Sequence, residues 1–196
     1  MSDVDAAREC LMQGGVVLVP TDTVYGLAVH PEREDAIERL FALKQRPKSR
    51  NLPVMVASVF DLADLGVQIT EAASRLMGAF FPGPVSLALG VRAEDAPKWL
   101  AGRTEIAVRV PADEIMLAIL RGTGPLLVTS ANIHAQDTAE SVPAILAQLD
   151  GTPDLVIDGG IRDVVPSTLV NCNLAVPAIE RVGAVSQEQI EQVLNE

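Results

Sequence analysis

Two periods of hydrophobic and polar positions alternate along this chain. Runs rich in valine, leucine and isoleucine predict strands at 16–19, 53–57, 85–91, 106–110 and 126–129. Shorter apolar segments predict three more at 155–158, 168–170 and 178–180. Between them the spacing turns helical. Residues 32–43 place Ile37, Leu40 and Phe41 on one face. Helices are also predicted at 70–80, around 115–120 and at 143–149, where Pro143 falls in the first turn and its missing N–H does little harm. A first helix starts near Ser2 and stops at Gly14 and Gly15. The stretch 186–194 closes the chain, with Ser186 and Gln189 spaced as a capping box.

Helices and strands interleave throughout, which predicts an α/β (α+β) domain. Several strands follow one another without a helix, so a mixed, twisted sheet is expected rather than a regular βαβ array. No linker, repeat or low-complexity stretch interrupts residues 1–196, and a single domain is expected. The polar, proline-containing break at 44–53 reads as a site loop.

Composition narrows the function classes. The net charge is −11, whereas an electrostatic nucleic-acid binder is usually basic. At most weak tRNA binding is expected. Aromatic residues make up 3%, too few for a base-stacking surface. Cys10 and Cys172 are far apart and form no metal or redox motif, so both read as reduced thiols. His30 and His134 lack partners at metal-ligand spacing, and no protein-held metal is expected. No signal-like segment and no apolar run of membrane length is visible, which predicts a cytoplasmic protein without a membrane partner.

Four segments could carry chemistry. Pro20-Thr21-Asp22-Thr23-Val24-Tyr25-Gly26-Leu27 follows an apolar strand and concentrates hydroxyls, a carboxylate and a phenol on a rigid support. The same residues would also serve as a plain turn. Lys44, Arg46, Lys48 and Arg50 crowd four cations into seven residues of an acidic chain, a field suited to a triphosphate. Strand 126–129 runs into Ser130-Ala131-Asn132, whose hydroxyl and amide can meet phosphate oxygens without charge. Asp158-Gly159-Gly160 leads to Pro166-Ser167-Thr168, where glycines permit close backbone approach. There is no P-loop, no Gly-x-Gly-x-x-Gly and no nucleophile elbow.

In this order, and together with Phe81-Pro82-Gly83-Pro84, Ala107-Val108-Arg109-Val110-Pro111 and Arg181-Val182-Gly183, the segments resemble the YrdC/Sua5 family of threonylcarbamoyl-AMP synthases. The likeness runs from Gly14 to Leu194 and is to the short, single-domain form. It implies a twisted mixed sheet with a large concave cleft. It implies a nucleotidyltransferase that joins L-threonine, bicarbonate and ATP into threonylcarbamoyl-AMP and pyrophosphate, for the threonylcarbamoyladenosine modification of tRNA. Mg²⁺ would accompany the ATP, and a separate tRNA threonylcarbamoyl transferase would take the product. By resemblance, Thr23, Arg109 and Ser167 hold threonine. Lys44 and Arg46 act on the phosphates, with Arg50, Ser130, Asn132 and Arg181 also on the nucleotide, and the 44–51 loop closes as a lid. The sequence departs from the family pattern at Met55, where a histidine is usual, at Arg50 and Asn51, and at His134 and Ala135. A carbamoyl-adenylate enzyme and a non-catalytic RNA-binding module of the same fold are the alternatives.

Overall fold

The structure is a computed structural model and describes residues 2–47 and 51–195. Nine strands form one sheet: β1 (Val17–Val19), β2 (Gly26–Val29), β3 (Val54–Met55), β4 (Val85–Gly90), β5 (Glu105–Arg109), β6 (Leu126–Ser130), β7 (Leu155–Val156), β8 (Thr168–Asn171) and β9 (Ala178–Arg181). Their spatial order is β7-β1-β2-β6-β3-β5-β4-β8-β9. The β1–β7, β3–β5 and β4–β8 pairs are parallel and the other five antiparallel, so the sheet is mixed as expected.

Among the described residues six α-helices accompany it: α1 (Asp3–Met12), α2 (Glu34–Leu43), α3 (Glu71–Phe80), α4 (Glu114–Thr123), α5 (Val142–Gln148) and α6 (Gln187–Asn195). Their ends follow local chemistry. Ser2 and Asp5 form a capping box at α1, and Ser186 and Gln189 bond reciprocally ahead of α6. Glu34 and Asp35 put negative charge on the first turn of α2, which has no side-chain cap. Asp113 caps α4 by accepting the Met116 N–H at 2.9 Å.

Three elements differ from the sequence reading. Strand β2 lies inside the first polar motif, because Gly26-Leu27-Ala28-Val29 is short and continuously apolar and merges into the turn before it. Two 3-10 helices, Val59–Leu65 and Lys98–Leu100, sit where no periodicity longer than a turn or two announces them.

Strand alternation decides where the cleft opens. Val85, Leu87 and Leu89 of β4, and Ile106 and Val108 of β5, point into the larger core with Leu40, Leu76 and Ile190 of α2, α3 and α6. The opposite face carries a smaller core. There Ala7 and Leu11 of α1 and Met116, Ile119 and Leu120 of α4 cover Val17, Val19, Ala28 and Leu126. This α1–α4 layer stops at Met55 and Val128, which also line the cleft. Beyond them Ser86 and Ala88 of β4 and Ala107 and Arg109 of β5 line a concave cleft. No helix among the described residues is long and apolar enough to cross a membrane.

Candidate active site

The cleft has a volume of about 480 Å³. Small residues, Ala88 and Ala107 among them, line it, and Gly26 lets Val128 pack close beside it. Along β5 the floor runs from Arg109 to Glu105, about 13 Å at the usual strand rise.

Arg109 dominates one end. It is 4% exposed, and each arm of its guanidinium is engaged. Nε donates to the Gly83 carbonyl at 2.9 Å, Nη1 to Thr23 Oγ1 at 3.0 Å and Nη2 to Asp22 Oδ1 at 2.6 Å. The 20–25 turn is braced from within. Thr21 Oγ1 donates to the Val24 carbonyl at 2.6 Å and accepts the Thr23 N–H at 3.2 Å. Among the described residues Asp22 Oδ2 is buried without a hydrogen-bond partner and Arg109 is the cation paired with this carboxylate.

Ser167 stands on the opposite wall. Its hydroxyl shares a 2.9 Å hydrogen bond with Ser86. Its carbonyl accepts from Arg181 Nε at 3.1 Å and Nη2 at 2.8 Å, and Nη2 also reaches Ser167 Oγ at 3.2 Å. Burial, and then the positive charge of Arg109, lower the pKa of the Arg181 guanidinium. Arg181 thus brings a second guanidinium to a cleft in which Arg109 is already paired with Asp22, and it favours an anionic guest on its own side. Close packing sets this geometry: a Cβ on Gly183 would stand 2.1 Å from the Pro166 carbonyl oxygen.

Arg46 and Ser130 line the cleft as well. Arg46 donates from Nη2 to the Asn51 carbonyl at 3.0 Å. Ser130 Oγ donates to Asn132 Oδ1 at 2.5 Å. Lys44 and Asn132 do not line the cleft. They lie behind it, both buried, Lys44 at 1% exposure. The Lys44 ammonium donates to the carbonyls of Ser130 and Asn132 and to Asn132 Oδ1. Burial, and then the Arg46 charge, push its pKa down to about 7. Arg50, and with it the 48–50 part of the expected lid, lies outside the described residues.

The structure therefore brings Thr23, Arg109, Ser167, Arg181, Arg46 and Ser130 onto one cleft and places Lys44 and Asn132 behind its wall. Some of its parts went unread in the sequence. Ser86 joins Ser167 across 81 positions, and its only signal is a polar residue at an alternate position in β4. Asp22 lay in a recognised motif, but its partnership with Arg109 spans 87 positions. Tyr25 donates to the Gly160 carbonyl at 2.6 Å and accepts the Gly159 N–H at 2.9 Å, so it fastens the glycine lip. Burial raises its pKa. Glu105 and Glu180, at another part of the cleft, both accept from the Asn171 amide. Met55, at the position where the family often has a histidine, lines the cleft.

Comparisons with known proteins agree with this fold. The chain is 33% identical over 191 residues to a threonylcarbamoyl-AMP synthase of Bacillus subtilis, covering 96% of this chain and 55% of that protein. It thus spans little more than half the length of that relative. A threonylcarbamoyl-AMP synthase of Xanthomonas campestris is 36% identical over 173 residues, 84% of this chain and 91% of its own length. The structure of Pyrococcus abyssi Sua5 complexed with L-threonine superposes with a TM-score of 0.88 at 32% identity, covering 98% of this chain and 58% of that one. The model of the Sua5/YciO/YrdC family, described as "Telomere recombination", matches residues 9–183, and the chain belongs to that family.

Proposed function

We propose that the chain is an L-threonylcarbamoyladenylate synthase, a nucleotidyltransferase that makes threonylcarbamoyl-AMP from L-threonine, bicarbonate or CO₂, and ATP. The observation that carries this reading is one cleft lined by two sets of groups. Thr23, Arg109 and Ser167 supply a hydroxyl, a guanidinium and a second hydroxyl suited to an amino acid. Arg46, Ser130 and Arg181 supply cations and a hydroxyl suited to phosphates. The names of the relatives and the threonine complex of the Pyrococcus protein support the same assignment.

The chemistry asks for no protein nucleophile. The threonine amine forms a bond to the carbon of CO₂ and loses a proton, giving a carbamate; from bicarbonate, that proton and the displaced hydroxide leave together as water. A carbamate oxygen then attacks the α-phosphorus of ATP, the bond to the β-phosphate oxygen breaks, and pyrophosphate departs. The residues supply position and charge. Arg109 orients the threonine end, while Arg46 and Arg181 offset the charge that builds on the phosphates. Excluding water protects the carbamate and the mixed anhydride.

Mg²⁺ enters this reading as the companion of the triphosphate. No group of three or more His, Cys, Asp or Glu side chains suited to a metal stands among the described residues. That donor set does not fit a resident ion, whereas Mg²⁺ commonly binds through phosphate oxygens and keeps several waters. The product passes to a separate tRNA threonylcarbamoyl transferase, in the cytoplasm.

The test is pyrophosphate release from ATP, Mg²⁺ and bicarbonate, with and without L-threonine, beside an Arg46→Ala control. Threonine-dependent release that drops in the control is the expected result. Release indifferent to threonine would favour carbamoyl-adenylate chemistry, and no release would favour the RNA-binding alternative.

A further inference from the structure

We propose that Lys44 is a positioning residue that shapes the nucleotide wall from behind and does not itself touch the triphosphate. The inference rests on the reading of the cleft as a nucleotide site. An ammonium has three protons, and the structure supplies three acceptors: the Ser130 carbonyl, the Asn132 carbonyl and Asn132 Oδ1. A phosphate oxygen could be met only by giving one of these up. The side chain is 1% exposed and does not line the cleft, although Arg46, two residues on, does.

The backbone of residue 44 works on the same segment. Its carbonyl accepts the His134 N–H at 2.8 Å, just past the end of α2. Lys44 therefore holds the 130–134 turn at both ends, from its backbone and from its side chain. Asn132 is fixed in turn, donating from Nδ2 to the carbonyls of Ile133 and Gln136. What reaches the cleft through this scaffold is Ser130, whose Oγ is bonded to the Asn132 oxygen that Lys44 grips. Losing the ammonium takes a donor from all three oxygens; Asn132 Oδ1 keeps Ser130 Oγ and the Ser130 carbonyl keeps the Asn132 N–H, but the buried Asn132 carbonyl loses its donor, and the turn must open to hydrate it. The displacement falls on Ser130 and on the cleft wall it forms.

Direct contact and positioning differ in their response to salt. A lysine that ion-pairs with a phosphate contributes to the fall of affinity with ionic strength, and its removal flattens that slope. Titration of the full chain with ATP at pH 6, where the Lys44 side chain carries its charge, over a range of salt concentrations, for wild type, Lys44→Met and Arg46→Gln, separates the two. Positioning predicts that Lys44→Met weakens ATP about tenfold or more while keeping the wild-type salt slope, and that Arg46→Gln flattens it. A slope flattened in Lys44→Met as far as in Arg46→Gln, or unchanged affinity in Lys44→Met, overturns the proposal.

A second experiment needs no variant. In reductive methylation of the wild-type protein, read at Lys44 by mass spectrometry, slow labelling that ATP does not alter is expected. Rapid labelling that ATP suppresses overturns the proposal. If wild type binds neither ATP nor pyrophosphate, the nucleotide-site reading itself falls and takes this inference with it. That result is distinct from a flattened slope in a protein that binds.

Discussion

Replacing Arg109 by methionine tests the most tightly built part of the cleft. The guanidinium is 4% exposed and the Asp22 side chain 11% exposed, with 2.6 Å between Nη2 and Oδ1. Oδ2 of Asp22 already lacks a partner, so the variant leaves a buried carboxylate with nothing bonded to either oxygen. Gly83 and Thr23 lose a donor as well. Breaking a buried pair on one side costs about 3–5 kcal/mol, most of it the desolvation of the charge left behind. For a domain of this size each kcal/mol lowers Tm by roughly 2–4 °C. Urea denaturation at neutral pH reads the cost directly. The double variant Asp22→Asn/Arg109→Met completes the cycle and should be more stable than the sum of the two single losses, because no charge is then stranded. Additive losses, or a cost below about 1 kcal/mol for Arg109→Met, would refute the idea that Asp22 depends on this guanidinium.

Other perturbations probe the remaining walls. Gly183→Ala drives a methyl against the Pro166 and Ser167 backbone and should cost about 1–3 kcal/mol, with weaker L-threonine binding by calorimetry; undiminished binding would detach Gly183 from the site. Tyr25→Phe removes the bond to the Gly160 carbonyl and the acceptor of the Gly159 N–H, so hydrogen exchange at Gly159 should speed up and stability fall by about 1 kcal/mol. The Lys44 proton gives a pH test. Its pKa is depressed from 10.5 to about 7, so between those values the unfolded chain holds a proton that the folded chain has shed. Stability should therefore rise with pH across that window and carry the full cost of the buried charge below pH 7; urea midpoints at pH 7 and 9 should lose this rise in Lys44→Met.

The strands of the larger core were legible because each carries its own signal. Val85, Leu87 and Leu89 alternate with Ser86 and Ala88, and the pattern names both the buried face and the open one. β2 was missed because Gly26–Val29 is only four residues long and runs straight on from the polar turn of the first motif, with no boundary signal of its own. The hydroxyls, cations and glycines of the site were legible as residue types in ordered motifs. Which of them touch the cleft was not. Lys44 and Arg46 look alike in sequence, yet one is enclosed and the other lines the cleft, because Lys44 sits at the end of α2, where the 130–134 turn folds over it.

By itself the sequence determined what depends on near neighbours: the periods of helix and strand, the capping box at Ser186, and a cluster of cations in an acidic chain. Tertiary structure alone decided what depends on strand order. Arg109 meets Asp22 across 87 positions, Lys44 meets Asn132 across 88, and Ser86 meets Ser167 across 81. The physical reason is the range of the forces that choose each feature. Backbone hydrogen bonds and side-chain alternation act over a few residues and leave a local imprint. The closure of β3 between β5 and β6, which sets the cleft between its walls, is chosen by burial summed over the whole sheet and leaves no mark in any single segment.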